Sequence, residues 1–205
     1  MTMREPILKP VPISELRPTQ MTVGLREVRE KRDQWRAMSG EREAEFLGRH
    51  MIPTVLGPRG LHYVLDHHHL ARALYEAGVK EVLATVTIDL SALKKASFWI
   101  YLDNRAWCHP YDDEGKRQDF EAIPNHISEL KDDPYRSLAG ELRQAGGYAK
   151  DTTPFSEFLW ADFLRSRIKT KAIAKDFDTA LGKAMTLAKG KDADYLPGWC
   201  GPIAS

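Results

Sequence analysis

The strongest chemical signal in the sequence is one aspartate followed by three histidines, the run Asp66-His67-His68-His69. The largely apolar residues 61–65 precede this run, and a pattern typical of a helix follows it. Where a strand passes directly into a helix, free backbone N–H groups point outward from the helix N-terminus and bind anions readily. Histidine rings add N–H donors and a charge that changes near neutral pH. The run therefore predicts a phosphate-binding site at the start of a helix.

Two other interpretations of the run stay open at this point. Asp66 could serve as the N-cap of the helix, a role worth on the order of 1 kcal/mol, and His69 borders the buried side of that helix. A zinc site would recruit Cys108 or Cys200, but neighbouring histidines on a helix point about 100° apart, unlike the i, i+4 pair of zinc-binding helices. We therefore predict no metal held by protein ligands alone. Mg²⁺ fits better as the companion of a nucleotide, because it needs only one or two carboxylates besides phosphate oxygens.

The elements around the run predict an α+β fold with a small mixed sheet. Residues 7–13 contain two short segments that suit edge strands, where proline is tolerated. Residues 52–56 and 62–65 flank a Gly-Pro-Arg-Gly turn and predict a hairpin, and the β-branched residues of 82–90 predict a further strand. Helices are predicted over residues 25–38 and 41–50 and along the apolar stripe of Leu70, Ala73, Leu74 and Ala77 before Gly78.

After this strand the pattern changes to helices and aromatic loops. Residues 94–135 carry large aromatic side chains among acidic loops, and we expect the aromatic side chains at 98–111 and 155–163 to form the core of a helical part. Further helices are predicted over residues 138–144, from Thr153-Pro154 onward with the proline in the first turn, and along the stripe of residues 181–188. The tail, residues 196–202, is too aromatic for a linker, and we expect it to dock onto the body of the protein.

Length and composition fit one sizeable core with a smaller appended lobe, since 42% of the 205 residues are hydrophobic. We predict an α+β domain over residues 1–92 and a helical C-terminal region over residues 93–205 that packs on it. No apolar run approaches the length that crosses a bilayer, and the N-terminal residues lack the hydrophobic segment of a secretory signal. The two cysteines do not make a disulfide framework. We therefore expect a cytoplasmic protein with reduced thiols and no membrane partner.

Charge is unevenly distributed along the chain, although the 30 basic and 29 acidic side chains nearly balance. Residues 103–133 contain nine acidic and four basic side chains, whereas residues 165–191 contain eight basic and two acidic ones. The near-neutral total argues against a strongly cationic nucleic-acid-binding protein. The basic segment could bind DNA, but an amphipathic helix whose lysines face water is the favoured interpretation.

With these residues in view, the N-terminal part resembles the ParB/sulfiredoxin-fold superfamily and, within it, the ParB-like nuclease branch. The residues that carry the resemblance are Leu16–Gln20, Gly24, Glu27–Val28, the run Asp66–His69 and Ala73–Leu74, and Trp99, Tyr111–Asp112 and Gly115 also resemble the branch. The fold resemblance covers about the first 90 residues. Members of the superfamily bind a nucleotide with its phosphates over the helix that follows the aspartate–histidine box. They include a CTP-dependent DNA clamp, the ATP-using sulfiredoxins and free-serine kinases.

The resemblance implies roles for individual residues. Asp66 matches the aspartate of the box and Glu27 matches an upstream glutamate of the kinases. This implies that Glu27 acts as general base on a hydroxyl while Asp66 orients it or holds a metal. The residues implied to contact the nucleotide are Arg17, Thr19, Gln20, His67, His68, His69 and Arg72.

The run departs from the family pattern at two positions. His67 stands where the family has a glycine, which lets the backbone approach phosphate closely. Leu70 stands where the family has an arginine that grips phosphate. Arg72 offers a replacement, because His68 and Arg72 are four residues apart and share a helix face.

The resulting expectation is a nucleotide-binding protein that uses ATP, ADP or CTP with Mg²⁺. It would hydrolyse the nucleotide or transfer its phosphoryl group to a small hydroxyl compound, with charge stabilisation by Arg17, His68 and Arg72. A DNA-binding or nuclease-like protein and a non-catalytic ligand-binding module are the alternatives.

Overall fold

The computed structural model describes residues 8–38 and 40–202, and the chain forms two compact units. The first unit comprises Met1–Thr22 and Val28–Lys131, and the second unit comprises Val23–Glu27 and Asp132–Ser205. The main division therefore falls after Lys131, whereas the sequence predicts a division after residue 92.

The first unit alternates short strands with helices, and the second unit is mainly helical. The strands are β1 (Leu8–Pro12), β2 (Thr22–Val23), β3 (Ile52–Leu56), β4 (His62–Val64), β5 (Glu81–Asp89) and β6 (Lys131–Asp132). The helices are α1 (Leu25–Arg36), α2 (Glu41–Arg49), α3 (His68–Glu76), α4 (Lys95–Asn104), α5 (Pro134–Gln144), α6 (Ser156–Arg165), α7 (Thr170–Lys175) and α8 (Phe177–Ala188). Within the described ranges, no helix is long and apolar enough to span a membrane.

A mixed four-stranded sheet of order β1-β5-β3-β4 forms the centre of the first unit, and β2 pairs with β6 in a separate two-stranded sheet. In the larger sheet, β3 and β5 are parallel, and the other two neighbouring pairs are antiparallel. The predicted α+β class and the predicted hairpin of β3 and β4 are confirmed. The edge position of β1 is also confirmed and suits its two prolines, while residue 7 of the predicted segment lies outside the described residues.

Helix α4 completes the core of the first unit. Its residues Phe98, Trp99 and Leu102 are buried, and the ring centroids of Phe98 and Tyr63 lie 4.6 Å apart. The prediction of aromatic loops is therefore wrong for residues 95–104, where the i, i+1, i+4 spacing of buried side chains forms one helix face. Because these aromatic side chains pack beside the sheet, the first unit extends well beyond residue 92.

The start of α1 belongs to the second unit. Leu25 donates its backbone N–H to Oδ1 of Asp132 over 2.9 Å. A Cβ atom on Gly24 would lie 2.7 Å from Oγ of Ser137, so only glycine permits this close approach. The chain therefore enters the second unit for five residues before α1 continues in the first unit.

Helices α5, α6 and α8 build the core of the second unit. Leu138 of α5, Trp160 of α6 and Ala184 of α8 are fully buried members of one apolar cluster. Asp133 is the N-cap of α5 and accepts the backbone N–H of Tyr135. This cap explains why α5 begins at Pro134, four residues before the predicted helix.

The C-terminal tail docks within the second unit, as predicted. Trp160 donates its ring N–H to the carbonyl of Pro197 over 2.9 Å, and the backbone N–H of Ala149 donates to the carbonyl of Gly198 over 2.7 Å. Helix α6 begins two residues after Pro154, so the prediction that this proline lies in the first helical turn is wrong.

Candidate functional site

The aspartate–histidine run forms the turn between β4 and α3. The N-cap of α3 is His67, and no side chain caps the helix. Oδ1 of Asp66 instead accepts the backbone N–H of His67 over 2.6 Å. The predicted N-cap role of Asp66 is therefore wrong, because its carboxylate accepts the N–H of the N-cap residue His67 and not an N–H of the first helical turn. Asp66 is exposed, so the turn presents a carboxylate next to an uncapped helix N-terminus.

His67 adopts a left-handed backbone conformation, with φ of 68° and ψ of 26°. This conformation costs an ordinary residue roughly 1–2 kcal/mol, while glycine adopts it freely. His67 therefore adopts the backbone conformation that a glycine would have at this position, and this conformation is strained for a histidine. The Nδ1 atom of His67 is buried and has no hydrogen-bond partner within the described residues.

The strain at His67 predicts a stability change on substitution. His67→Gly is expected to leave the free energy of unfolding unchanged or to raise it by up to about 1 kcal/mol. His67→Val is expected to lower it by about 2 kcal/mol, because a β-branched side chain tolerates positive φ poorly. Urea unfolding of the three proteins checks both values, and a His67→Gly protein that unfolds more easily than the wild type would contradict the assignment of strain.

His68 is a buried link between α3 and the preceding loop. Its side chain is 3% exposed, and its Nε2 atom accepts the backbone N–H of Thr19 over 3.1 Å. Burial lowers the pKa of His68 to about 3, so the ring is neutral and acts as an acceptor. The predicted phosphate contact by a charged His68 is replaced by this internal hydrogen bond. His69 is also buried, which agrees with the alternative of a core histidine.

The loop before β2 runs beside β4 and is anchored by its backbone. Arg17 donates its N–H to the carbonyl of His62 and accepts the N–H of Val64, each over 2.8 Å. The hydroxyl of Thr19 donates to the carbonyl of Val64 over 2.6 Å, and Nε2 of Gln20 donates to the carbonyl of Thr22 over 2.7 Å. Thr19 and Gln20 are buried, so these groups shape the loop instead of facing a nucleotide as predicted.

The side chain of Arg17 reaches the segment formed by residues 125–130. Its Nη1 atom donates to the carbonyl of Asn125 and lies 3.2 Å from Nδ1 of His126. Neither partner is acidic. Arg17, one of the three residues predicted to stabilise charge, therefore makes no ion pair with a carboxylate within the described residues.

Arg72 holds the same 125–130 segment from α3. Its Nη1 atom donates to the carbonyls of Ile127, Ser128 and Leu130, with distances of 3.2 Å to Ile127 and 3.1 Å to Leu130. Its Nε atom donates to Glu76 over 2.7 Å. The guanidinium is thus committed to a structural role, in place of the phosphate contact that the sequence predicts.

The two predicted catalytic carboxylates belong to different units. Asp66 lies in the first unit and Glu27 in the second. Within the second unit, Oε2 of Glu27 lies 3.6 Å from Nη1 of Arg136. The first unit gathers the other predicted residues, from Arg17 and Thr19 to His68 and Arg72, around the start of α3.

Metal binding by protein side chains alone finds no support in the described residues, where no three His, Cys, Asp or Glu side chains are close enough to hold an ion. Cys108 is buried, and burial, together with the nearby carboxylate of Asp103, raises the pKa of its thiol to about 12. A thiol with that pKa is a poor metal ligand at neutral pH. A divalent ion at Asp66 would therefore need oxygen atoms from a bound ligand.

A cleft of about 350 Å³ borders the 125–130 segment in the first unit. Its lining combines apolar and polar side chains: Met21, Asp112, Gln118, Ala122, Pro124, Glu129 and Lys131. Glu129 also accepts the backbone N–H groups of Asn125 and His126 over 3.0 Å each, which closes the turn of the segment.

The role of the 125–130 segment could not be predicted from the sequence, because the segment contacts Arg17 and Arg72 through backbone carbonyl oxygens. The one sequence feature that could have indicated an ordered turn here is the spacing of His126 and Glu129, which is that of a capping box.

Comparison with known proteins identifies the family. The chain matches the family described as "Putative ParB-like nuclease" over residues 9–166. It belongs to this family. The match extends past the first 90 residues of the predicted resemblance and covers elements of both units.

Two solved structures resemble this ParB-like family member. Protein Atu1540 from Agrobacterium tumefaciens is 49% identical with a TM-score of 0.92, and the match covers 98% of this chain and 100% of that protein. The C-terminally truncated chromosome-partitioning protein ParB from Caulobacter crescentus, complexed with CTP-gamma-S, is 12% identical with a TM-score of 0.32 over 91% of this chain and 94% of that one. At that score the likeness to ParB carries no inference about this chain. None of the curated proteins matches it.

Proposed function

We propose that the first unit binds a nucleotide as its Mg²⁺ complex at the N-terminus of α3. The observation that carries the proposal is the uncapped start of α3 next to the exposed carboxylate of Asp66. The free N–H groups of a helix start attract phosphate, whereas a bare carboxylate repels it. A Mg²⁺ ion between Asp66 and the phosphates removes this conflict, since it takes one carboxylate together with phosphate oxygens.

Arg17 is the cation that the proposal assigns to the phosphates. Its present partners are a backbone carbonyl and a histidine ring, both weaker partners for a guanidinium than a charged phosphate oxygen. Arg72 and His68 support the site by holding the 125–130 segment and the loop before β2. The adjoining cleft has the volume of a small-molecule site and offers room beside the segment that Arg17 contacts.

The chemistry that suits these groups is hydrolysis of the nucleotide or transfer of its phosphoryl group to a small hydroxyl compound. Charge stabilisation by Mg²⁺ and Arg17 would supply most of the rate acceleration. The predicted general-base role of Glu27 is left out of the proposal, because its carboxylate pairs with Arg136 in the other unit.

A nuclease acting on DNA is the second candidate, favoured by the description of the family. A Mg²⁺ ion at Asp66 would serve a DNA phosphodiester as well as a nucleotide. In the second unit, taken by itself, the exposed lysines at positions 169, 171 and 175 are available for contacts with a DNA backbone.

Titration calorimetry with ATP, ADP and CTP tests the leading candidate. With Mg²⁺ present, Asp66→Asn is expected to weaken nucleotide binding by about tenfold or more. Without Mg²⁺ it is expected to strengthen the remaining weak binding, because the carboxylate that repels the phosphates is removed. Asp113→Asn serves as the matched control, since Asp113 is an exposed carboxylate outside the site. Absence of binding by any of the three nucleotides with Mg²⁺ would reject the proposal.

A cleavage assay separates the second candidate from the first. If the protein is a nuclease, it cleaves duplex DNA with Mg²⁺, and Asp66→Asn abolishes the cleavage. DNA binding without cleavage, with an affinity that falls steeply with salt, would indicate a binding role. Cleavage that persists in Asp66→Asn would place the nuclease site elsewhere.

A further inference from the structure

The cleft beside the 125–130 segment contains a glutamine amide whose orientation is fixed. Nε2 of Gln118 donates to Oδ2 of Asp112 over 2.6 Å. Partial burial alone would raise the pKa of the Asp112 carboxyl, but hydrogen bonds from Lys116, Gln118 and Glu114 outweigh it and hold that pKa below its usual value. Because an ionised carboxylate only accepts hydrogen bonds, the bonded atom of the amide must be its nitrogen. The amide therefore presents its carbonyl Oε1 and its second N–H as a fixed pair.

A second acceptor in the lining of the cleft is held by the turn of the 125–130 segment. Oε2 of Glu129 accepts the backbone N–H groups of Asn125 and His126. Among the described residues, no donor binds the other oxygen of this carboxylate or the carbonyl oxygen of Gln118. Both side chains line the same cleft, which thus offers two oxygen acceptors and one N–H donor to a ligand.

A short piece of chain joins the cleft to the start of α3. Thr19 donates its backbone N–H to His68 in the first turn of α3, and Met21, two residues further along, lines the cleft. Two residues span at most about 7 Å. The volume of about 350 Å³ suits a small molecule, and Met21, Ala122 and Pro124 provide apolar surface for the face of a flat ring. A nucleotide with its phosphates at α3 therefore has room for its base in the cleft.

We infer that the cleft is the base pocket of the nucleotide and that Gln118 and Glu129 select a base with an exocyclic amino group, adenine or cytosine. The inference rests on the nucleotide site proposed for the first unit. An amide reads a neighbouring donor and acceptor of a base edge through two hydrogen bonds. In adenine and cytosine the amino group lies beside a ring nitrogen that accepts, so Gln118 binds both groups while Glu129 accepts the second amino hydrogen. Hypoxanthine and uracil carry a carbonyl oxygen instead, which leaves both protein acceptors facing another acceptor.

Titration calorimetry of the full chain with Mg²⁺ compares nucleotides that differ at this group, ATP against ITP and CTP against UTP. The amino-bearing nucleotide is expected to bind about tenfold or more tightly than its partner, and the pair that shows this preference identifies the base.

Three variants assign the preference to the cleft. Gln118→Met is expected to abolish it, because the amide is lost while the length of the side chain is kept. Glu129→Gln is expected to reduce it by strengthening the binding of ITP or UTP, since glutamine still accepts the N–H groups of Asn125 and His126 but also offers a donor. Gln144→Met is the matched control, because Gln144 is an exposed glutamine of the second unit, and it is expected to retain the preference.

Equal binding of the two nucleotides in each pair would overturn the inference and leave the proposed nucleotide site intact. So would a preference that survives in Gln118→Met, or a preference for ITP or UTP that disappears in Lys131→Met. Adenosine and cytidine test the cleft without phosphates: one of them is expected to shift the NMR signal of the Gln118 amide, also in Asp66→Asn. Such a shift in a protein that binds nucleotides no more tightly than nucleosides would reject the phosphate site and support the base pocket.

Discussion

Acidification from pH 7 to pH 4 is expected to lower the free energy of unfolding by about 3 kcal/mol more in the wild-type protein than in a His68→Gln variant. The cause is the pKa of His68, which burial lowers from 6.5 to about 3. Between these values the unfolded chain binds a proton that the folded protein excludes. The stability that this histidine contributes is therefore complete above pH 6.5 and is lost progressively as the pH falls toward 3.

Urea unfolding of both proteins across this pH range measures the difference. Glutamine retains an acceptor for the Thr19 N–H but does not titrate, so carboxylates that titrate in both proteins cancel in the comparison. Parallel pH profiles for the two proteins would show that His68 ionises freely. The ring would then be accessible to a ligand, as the sequence suggests.

The elements around the site were predictable because local patterns determine them. The short segments 52–56 and 62–65 and the Gly-Pro-Arg-Gly turn between them predict the hairpin, and the apolar stripe from Leu70 predicts α3. The β-branched residues of 82–90 predict the strand β5. Each of these signals lies within about ten residues of sequence, so no distant contact is needed to interpret it.

The roles of the polar side chains depended on contacts with distant parts of the chain. His68 meets a backbone N–H 49 positions away, and Arg72 meets carbonyls 55 to 58 positions away. Backbone N–H and carbonyl groups are present at almost every residue, so the sequence does not show which of them a side chain will bind. His68 and Arg72 therefore looked available for a ligand in the sequence. For His67 the sequence was informative, because the glycine that the family has at this position indicated a left-handed backbone conformation, and His67 adopts that conformation.

Arg72→Met is expected to lower the free energy of unfolding by about 3 kcal/mol while the nucleotide contacts of Arg17 remain available. Methionine retains the apolar stem of the side chain but removes the donors to the carbonyls of Ile127, Ser128 and Leu130. Those carbonyls are then left without their charged partner, and Glu76 loses the ion pair with Arg72 over 2.7 Å while it keeps the one with Arg32. Urea unfolding gives the stability change, and chymotrypsin cleavage within the 125–130 segment reports its release.

Arg17→Met is the matched comparison, because it removes a guanidinium that contacts the same segment from the other side. Its expected cost is about 1 kcal/mol or less, since Arg17 binds only one carbonyl and one histidine ring of the segment. Nucleotide binding is expected to show the reverse order, with the larger loss in Arg17→Met. An Arg72→Met protein of wild-type stability that no longer binds nucleotide would make Arg72 the phosphate ligand, and the 125–130 segment would then be a cover that the nucleotide displaces.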